Sequence, residues 1–490
     1  MNAIPQKTNV LVVGGGPAGS TAAGLLAREG FDVTLLEQAQ FPRYHIGESL
    51  LPTILPILEL LGIREKVEAR GFQQKQGAYL EWGSETWALD FGELSGNYTH
   101  AFQVRRDEFD LMMLENASEL GAKVFQNVEV RSLQMDGDRP VRAAWQQKAV
   151  NGSQPQQGEI SFDYLIDASG RNGLMANRYL KNRKYHNVFQ NVGVWGYWKN
   201  TDRLATGREG DIAVGSIPNG WLWGIPLSDG TMSIGAVMHK NIFNQYKNKE
   251  MDAIYSEAID ASPLMRKITK NAELISEVKT ESDYSYASEK FCGPGYFMVG
   301  DAACFLDPLL SSGVHLATMS AMLASASIIS FTRGDVDEAE SQSFFENSYR
   351  QAYLRFLVFL SAFYDVGRTK ESYFWEAQRV TQQDVPADFL KLAFLNLVTG
   401  VKDLADIQSD ETHHFVLEEM TKRIDDNLRW RQDKKALAGM QGEKLASVRE
   451  NANFFDSIEG IFSINESEAI GGLYVTLVPT FGLARVKQTS

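Results

Sequence analysis

The chain has 490 residues, of which 44% are apolar and 22% charged, values typical of a globular protein with two or three structural units. The 62 acidic against 48 basic residues give a net charge of −14, which argues against a nucleic-acid partner, since phosphate binding needs a basic face. Cys292 and Cys304 form no CxxC motif and predict neither a disulfide framework nor a metal site. Without a signal-peptide pattern or an apolar run long enough to span a bilayer, we predict a cytoplasmic protein that binds no membrane.

The first forty residues predict a strand, a turn, a helix and a second strand. Asn9–Val13 is a short apolar run, as expected of a strand that is buried on both faces. The glycine-rich segment Gly14–Gly19 follows at once, and Ser20–Glu29 has the small and apolar residues of a packed helix. Phe31–Glu37 is a second apolar strand that ends in an acid. This order predicts a βαβ unit, the start of a Rossmann-type α/β fold.

The turn of this unit carries the pattern Gly14-x-Gly16-x-x-Gly19. The first glycine permits the tight turn, the second lets the backbone approach a pyrophosphate, and the third lets helix and strand pack closely. The N-terminus of the helix then faces the phosphates with the positive end of its dipole. Glu37 stands where a carboxylate accepts the ribose hydroxyls. The strand, the helix and the acid together predict a dinucleotide cofactor, NAD or FAD.

Further elements follow along the chain. Helical periodicity predicts helices near 54–61, over Arg105–Gly121 and beginning after Gly313. The predicted strands lie at Ala78–Phe91, Lys123–Val130 and Asp163–Gly170, and an antiparallel meander spans 190–240. Beyond residue 330, helices are predicted over Glu338–Trp375, Ala387–Leu397 and His413–Asp433. The chain therefore divides into a discontinuous cofactor-binding domain at 1–330, with a substrate sheet inserted at about 78–100 and 185–290, and a mainly helical C-terminal region at 331–490.

The late Gly300-Asp301 motif favours FAD over NAD, and Arg106 is a second residue to consider with it. Gly300-Asp301 ends an apolar strand in VGDAACFLDPLLSSG, and Arg106 lies in RDEFD. With the fingerprint, these residues resemble the flavoprotein monooxygenase superfamily, whose fold is of the p-hydroxybenzoate-hydroxylase-like type. The resemblance implies that Asp301 contacts the ribityl chain of FAD, and that Arg106 lies near the flavin unless it forms a surface ion pair. Asp167 in DASGR resembles the middle Asp-Gly motif of the superfamily, with alanine in place of glycine.

Three segments narrow the resemblance, over about residues 8–375, to flavin-dependent halogenases. They are FPRYHIGESLLP at Phe41–Pro52, GWLWGIP at Gly220–Pro226, which holds a W-x-W-x-I-P signature, and DPLLSSGVHLA at Asp307–Ala317. Together they are similar to halogenases that act on aromatic substrates tethered to a carrier protein. The residues that this resemblance places against FAD are Gly14, Gly16, Pro17, Ala18, Gly19, Glu37, Arg43, Ser49, Arg106, Asp301 and Gly313.

Lys75 in GFQQKQG matches the essential lysine of these halogenases. In the family, reduced FAD, O2 and chloride give HOCl, and an amine in a dry tunnel binds it or is chlorinated by it. Lysine suits this role because its pKa shifts readily on burial, although composition alone would make Lys75 a surface residue. The resemblance also makes Ser312 and Gly313 the site for chloride or bromide, where backbone N–H groups before a helix bind an anion.

One position departs from the tryptophan halogenases. Those enzymes have glutamate in P-L-E-S-T-G, whereas Leu310 occupies that place in Pro308–Gly313. A phenol or pyrrole activates its own ring and has less need of that carboxylate. We therefore predict a tyrosyl or other phenolic group on a peptidyl carrier protein, and not free tryptophan. Phe356–Trp375 is rich in aromatic residues and either lines the substrate pocket or forms a stripe of the core.

The predicted function is a two-component halogenase of natural-product biosynthesis. Besides the Gly14–Gly19 pattern assigned to FAD, the sequence has no second GxGxxG pattern that would bind NAD(P)H. We therefore expect a separate flavin reductase to supply the reduced FAD. Two enzymatic alternatives stay open. One is hydroxylation of an aromatic ring, against which Lys75 and the W-x-W-x-I-P segment argue, and the other is reduction of a prenyl chain by an enzyme like geranylgeranyl reductase. A flavin-binding protein without activity is the last alternative.

Overall fold

The computed structural model describes residues 3–82, 85–91, 99–149, 154–205, 207–246, 249–366, 469–477 and 480–486. The strands in these residues, numbered in chain order, are β1 Lys7–Val13, β2 Val33–Glu37, β3 Gln73–Lys75, β4 Gly77–Trp82, β5 Glu85–Asp90, β6 Ala101–Gln103, β7 Lys123–Gln126, β8 Val128–Asp136, β9 Arg139–Gln147, β10 Gln156–Asp167, β11 Arg183–Lys199, β12 Ile212–Ile217, β13 Gly220–Pro226, β14 Met232–His239, β15 Glu273–Leu274, β16 Lys279–Ser288, β17 Cys292–Gly293, β18 Tyr296–Met298, β19 Cys304–Phe305, β20 Leu473–Thr476 and β21 Gly482–Arg485. The α-helices are α1 Pro17–Arg28, α2 Ile54–Leu60, α3 Arg64–Ala69, α4 Arg106–Glu119, α5 Lys240–Phe243, α6 Met251–Ala261, α7 Pro263–Ile268, α8 Gly313–Arg333 and α9 Glu338–Val366.

The first sheet confirms the predicted βαβ unit. Over the described residues it has eight strands, with the order β17–β18–β10–β1–β2–β7 and with β9 joining β8 to β10. Strand β1 lies between β10 and β2 and is parallel to both, and Val10, Leu11 and Val12 are fully buried. The glycine-rich turn therefore leaves the carboxyl end of a central parallel strand, which is where open α/β sheets bind their ligands.

The second sheet contains the predicted meander. In the part of the chain that the structure describes, nine strands lie in it, with the order β19–β16–β11–β14–β13–β12–β4–β5 and with β15 beside β11. Its neighbours are antiparallel except β12 and β4, which are parallel. The fold is therefore of the α/β type with a large antiparallel sheet, as predicted, while the domain boundaries remain predictions.

A short ribbon of β3 and β6 links the Phe41–Pro52 motif to Lys75. Lys75 pairs with Ala101 in this ribbon. On the other edge of β6, Gln103 forms a bridge with Ser49. Strand β6 therefore lies between two segments that are about 25 residues apart in sequence and holds them side by side.

The strand predicted over Lys123–Val130 is wrong in one respect, because it is two strands, β7 and β8. Asn127 separates them with φ of 61°, a left-handed conformation that asparagine tolerates better than most residues. The backbone therefore turns at this residue instead of continuing one extended strand.

Helix α8 begins at Gly313, one residue before the predicted start. Contrary to the expectation that no apolar run is long enough to span a bilayer, this 21-residue helix contains an 18-residue window with a mean hydropathy of 1.5 and passes that test of length and composition. In the structure 94% of its apolar window is buried, and it packs against α1 and α9. Its apolar character is therefore explained by its place in the core.

The described residues of the C-terminal region comprise α9 and the hairpin β20–β21. Leu483 N donates to Ser330 Oγ at 2.7 Å, so the hairpin is attached to the end of α8. Phe356, Leu357 and Leu360 of α9 are buried in the main core. For this part of Phe356–Trp375 the structure supports a core stripe, while the rest of that segment and the predicted helices at 387–397 and 413–433 lie outside the described residues.

Candidate active site

A cavity of about 540 Å³ is lined by residues of both large sheets. It contains most of the side chains and turns that the sequence analysis assigned to a cofactor. Those on its wall are Gly14, Gly16, Pro17, Ala18, Glu37, Arg43, Ser49, Arg106, Asp301 and Gly313. Three predicted residues, Gly19, Lys75 and Ser312, are not part of the lining.

Each glycine of the Gly14-x-Gly16-x-x-Gly19 pattern is explained by a different structural requirement. Gly14 has φ of 107°, and a Cβ there would lie 2.3 Å from Ala168 O. A Cβ on Gly19 would lie 1.9 Å from Gly14 O, so Gly19 allows α1 to pack on the turn and does not itself face the cavity. The nearest atom to a Cβ on Gly16 is Arg43 Nη2, at 3.3 Å. Gly16 is therefore the glycine at which a ligand can approach the backbone.

Glu37 ends β2 and is buried against the turn. Its Oε2 accepts a hydrogen bond from Gly15 N at 2.6 Å, and its Oε1 accepts one from Ala39 N at 2.7 Å. These bonds fix the carboxylate on the cavity wall. Because a carboxylate oxygen accepts more than one hydrogen bond, both oxygens can still accept a bond from a ligand hydroxyl.

Arg106 is buried, so the alternative of a surface ion pair is wrong. Its guanidinium forms a two-bond ion pair with Asp110, at 2.8 and 3.0 Å. Its Nη1 donates to the carbonyl oxygens of Ile46 and Gly47, at 3.0 and 3.1 Å. Arg106 therefore fixes the loop of the Phe41–Pro52 motif where that loop meets the cavity.

Asp301 reaches the cavity from the turn after β18. Gly300 has φ of 56°, and its N–H donates to Ser320 Oγ at 2.9 Å, so α8 holds the turn. Burial raises the pKa of Asp301, while Arg171 and Arg106 oppose that rise. By contrast, Asp167 does not line the cavity, because its carboxylate caps the backbone N–H groups of Ser169 and Met175.

Lys75 lies directly behind the cavity wall, at the end of β3. It is only 2% exposed, so the surface alternative is wrong. Its Nζ donates to Ser49 Oγ at 2.9 Å and to Leu50 O at 3.0 Å, and it lies 5.2 Å from the centre of the Phe91 ring. Burial lowers the pKa of Lys75 to about 7, and the nearby Asp211 carboxylate acts against this shift.

The Asp307–Ala317 motif forms a turn before α8. Ser311 has φ of 56°, Ser312 is buried at the N-terminal end of the helix, and Gly313 is its first residue. A Cβ on Gly313 would meet nothing within 4 Å. Packing therefore does not require glycine at this position. Gly313 lines the cavity, so the open space beside it is part of the cavity.

The aromatic signature lies on β13 and lines the cavity from the second sheet. Trp221, Trp223 and Ile225 alternate along the strand, so their side chains share one face. The centres of the two indole rings are 6.0 Å apart. A Cβ on Gly235 would lie 2.1 Å from the Trp223 ring, so Gly235 makes room for that indole.

Glu48 lies inside the Phe41–Pro52 motif, and no role for it was predicted from the sequence. Glu48 is 3% exposed, lines the cavity and accepts a hydrogen bond from Tyr197 OH at 2.7 Å. Its burial became visible only in the structure, because Tyr197 comes from β11 of the second sheet. Among the described residues no group of three or more His, Cys, Asp or Glu side chains is placed to hold a metal ion.

Comparisons with known proteins agree on one family. The family model described as tryptophan halogenase matches residues 9–100 and 94–402. A tryptophan 2-halogenase of Chondromyces crocatus is 45% identical, over 98% of this chain and 95% of its own length. A flavin-dependent halogenase of Acremonium egyptiacum is 40% identical, over 76% of this chain and 71% of its own length. The solved structure of the myxobacterial chondrochloren halogenase, a FAD-dependent enzyme, has a TM-score of 0.71 at 34% identity and covers 84% of this chain and 97% of that one.

Proposed function

Since the chain belongs to the tryptophan halogenase family of flavin-dependent halogenases, we propose that its cavity holds FAD and that Lys75 directs the halogen onto an electron-rich aromatic ring. The observation that carries this proposal is the buried Lys75 amine, which Ser49 ties to the cavity wall. The relatives reported above are all halogenases, which favours halogenation over ring hydroxylation and prenyl reduction.

The residues of the cavity fit FAD. Gly16 and Gly313 leave space for a ligand where other residues would have a Cβ. The buried Arg43 Nη1 makes no hydrogen bond within the described residues, although Asp110 Oδ2 lies 3.4 Å away. We assign the pyrophosphate to the Gly14–Gly19 turn beside Arg43. The same assignment gives the ribose to Glu37 and the ribityl chain to Asp301, since each carboxylate stands on the wall.

Bound and reduced, FAD supplies the two electrons that activate O2, so that a halide ion is converted to its hypohalous acid. We assign the halide to Ser312 and Gly313. The N–H groups of the first turn of α8 have no helical acceptor, and the positive end of the helix dipole favours an anion. The absence of a Cβ at Gly313 lets the ion approach these N–H groups.

The amine of Lys75 then takes up the halogen. A neutral amine has a lone pair that accepts a hydrogen bond from HOCl, or that displaces water from it to form an N–Cl bond. An ammonium ion can do neither. Because burial lowers the pKa of Lys75 to about 7, a large fraction of the enzyme holds the neutral amine at neutral pH.

A flavin reductase is the partner that the family requires. We propose that this second enzyme supplies the reduced FAD, and that the supply occurs by free diffusion rather than through a complex. In the part of the chain that the structure describes, the Gly14–Gly19 turn lies on the cavity assigned to FAD, so this turn is not assigned to NADH.

For the substrate we propose a tyrosyl or other phenolic group on a peptidyl carrier protein. Leu310 is half-buried in a short turn, where the tryptophan halogenases have a glutamate. Asp307 does not replace that acid, because its oxygens accept hydrogen bonds from Leu309 N at 3.0 Å and Asn191 Nδ2 at 2.7 Å. A phenol that activates its own ring fits a site without this carboxylate.

Tryptophan is the second candidate substrate. The observation that favours it is the 45% identity, over nearly the whole chain, to an enzyme named tryptophan 2-halogenase. Either ring is electron-rich, so both candidates agree with the chemistry of Lys75.

Docking of an acidic carrier protein needs a basic patch on this acidic chain. In the stretch Arg178–Lys184, Lys184 pairs with Glu289 at 3.2 Å and Arg183 stacks on Tyr286 at 3.9 Å, so only Arg178 and Lys181 remain as exposed charges. The second basic stretch, 429–435, lies outside the described residues. Support for tethering therefore comes from the motif resemblance and from Leu310.

The test is a side-by-side assay with a flavin reductase, NADH, FAD and either chloride or bromide. Free tryptophan, free tyrosine and a tyrosyl carrier protein are compared by product mass. Halogenation of the tethered phenol supports the proposal. Clean turnover of free tryptophan, with no reaction on the tethered phenol, overturns the assigned substrate but not the activity, and hydroxylated products without halogen overturn the activity as well.

A further inference from the structure

We propose that Glu48 is a catalytic residue of this site: its carboxyl group donates the proton that halogenation consumes beside the flavin, and the hydroxyls of Tyr197 and Tyr44 return a proton to it from solvent. This role rests on the proposed place of FAD in the cavity.

The need for a proton follows from the balance of the reaction. An aryl C–H group, chloride, reduced FAD, O2 and one proton give an aryl C–Cl group, oxidised FAD and two water molecules. Of the four electrons that reduce O2, two come from reduced FAD and two from the chloride as it becomes HOCl. The aromatic ring then supplies two electrons to the chlorine as the C–Cl bond replaces the C–H bond and the ring proton is released. The bond between the two oxygen atoms breaks as chloride takes one of them, and the other oxygen must receive a proton to leave as water. A positioned acid accelerates such a transfer by about 10²–10⁴.

The geometry places one carboxyl group for this transfer. Glu48 lines the cavity that we assign to FAD, and its backbone oxygen accepts a hydrogen bond from Val104 N at 2.7 Å. Its Oε1 is held by Tyr197 OH. Its Oε2 is buried and has no hydrogen bond of normal geometry within the described residues, although the Ser233 hydroxyl lies near enough to favour the charged form. One oxygen is thus held from the second sheet, and the other is left for a reaction partner.

The surroundings of Glu48 keep a proton on it in part of the molecules at neutral pH. Burial raises the pKa of Glu48 to about 7, against the hydroxyls of Tyr197 and Ser233 and the charges of Arg106 and Arg105, which all favour the carboxylate. A group with a pKa near the working pH is an effective general acid. In its neutral form it also does not repel a halide ion from the cavity.

Two tyrosines form a chain of hydroxyl groups from Glu48 to the half-exposed Tyr44, which also lines the cavity. Tyr197 OH lies 2.7 Å from Glu48 Oε1 and 3.1 Å from Tyr44 OH. Tyr44 is 49% exposed, and Trp195 Nε1 donates to its hydroxyl at 2.6 Å. Each hydroxyl can accept one proton as it gives up another. Burial raises the pKa values of Tyr197 and Tyr44, so the proton passes along neutral hydroxyls.

The first test compares Glu48→Gln with the wild type and with Glu159→Gln, which removes an exposed carboxylate at a distance. Binding of oxidised FAD to the apoprotein is measured by fluorescence, and halogenation is measured with saturating reductase. We expect Glu48→Gln to bind FAD nearly as tightly as the wild type but to halogenate about 100-fold more slowly. A Glu48→Gln variant that halogenates at the wild-type rate would overturn the proposal.

The second test reads the proton directly and does not depend on turnover. Infrared spectra of the apoprotein should contain a protonated-carboxyl band that disappears as pH rises through about 7 and that Glu48→Asp moves. Tyr197→Phe removes a hydroxyl that favours the carboxylate, so it should raise the pKa of Glu48. The band and the alkaline limb of the halogenation profile should then both persist to higher pH, which a merely structural role would not produce.

The outcomes separate the role proposed for Glu48 from the proposed halogenase function. If Glu48→Gln does not fold, Glu48→Asp and Tyr197→Phe still test the proposal through the infrared band. The role of Glu48 is overturned if the wild-type apoprotein has no protonated-carboxyl band below pH 7. It is also overturned if Tyr197→Phe does not shift the pH dependence of the band and of the halogenation rate. Failure of the wild-type enzyme to halogenate any aromatic substrate would instead overturn the proposed function.

Discussion

Lys75 Nζ lies 2.9 Å from Ser49 Oγ, and this hydrogen bond joins the amine to the wall of the cavity. A second bond, to Leu50 O, fixes the direction of the amine. Both acceptors belong to the Phe41–Pro52 motif, which β6 holds beside β3. Ser49, predicted to contact FAD, thus also has a position from which it orients the amine.

Lys75→Ala should abolish halogenation and leave FAD binding and the reoxidation of reduced flavin by O2 intact, because the amine acts after HOCl has formed. Lys75→Arg should also fail, since a guanidinium stays charged and offers no neutral amine. Lys66→Ala, which removes an exposed lysine paired with Glu119, is the control. Product mass and oxygen uptake are measured together, with a scavenger that removes free HOCl. Halogenation by Lys75→Ala near the wild-type rate would show that the assignment is wrong.

The halogenation rate should fall at low pH as Lys75 becomes protonated, and Asp211→Asn should move this acid limb of the pH–rate profile to lower pH. The charge of Asp211 raises the pKa of Lys75 against the effect of burial. Without that charge the pKa of Lys75 falls below about 7, so the reactive neutral amine persists at lower pH. Asparagine can still accept the hydrogen bond from Gln76 N. Glu209→Gln, which neutralises an exposed neighbour, should leave the limb in place, and an unmoved limb in Asp211→Asn would contradict the prediction.

Two glycine substitutions should separate packing from ligand approach. Gly313→Ala meets no atom within 4 Å, so the protein should fold with stability unchanged or raised by about 0.4–1 kcal/mol. The added methyl group projects into the cavity and should raise the halide concentration needed for half-maximal rate. Gly19→Ala would place a Cβ 1.9 Å from Gly14 O, so we expect lower thermal stability and loss of FAD binding. Equal effects of both substitutions on folding would contradict this division.

The purified protein should bind FAD without oxidising NADH at a useful rate. The Gly14–Gly19 turn is assigned to FAD, and the family relies on a separate flavin reductase. NADH absorbance is followed with and without an added reductase, in parallel with product formation. Rapid NADH oxidation by this chain alone would be inconsistent with a two-component system.

Local features of the fold were predictable from sequence. The apolar β1, the glycine turn and the acid at Glu37 each follow from backbone requirements that act over a few residues, and the structure contains all three. The turn at Asn127 was missed because the apolar pattern continues across it. The apolar character of α8 was also missed, and only its burial shows that it is a core helix.

The sequence by itself determined the βαβ unit, the motif that places Asp301 on the cavity and the family to which the chain belongs, because these depend on residue types at fixed spacing. Only the tertiary structure decided the chemical state of the key side chains. The pKa of Lys75 and that of Glu48 depend on desolvation, and desolvation arises where β6 brings the Phe41–Pro52 motif against β3 and where β11 supplies Tyr197. Burial of a charge depends on these long-range contacts, so it cannot be predicted from the residues that are neighbours in the sequence.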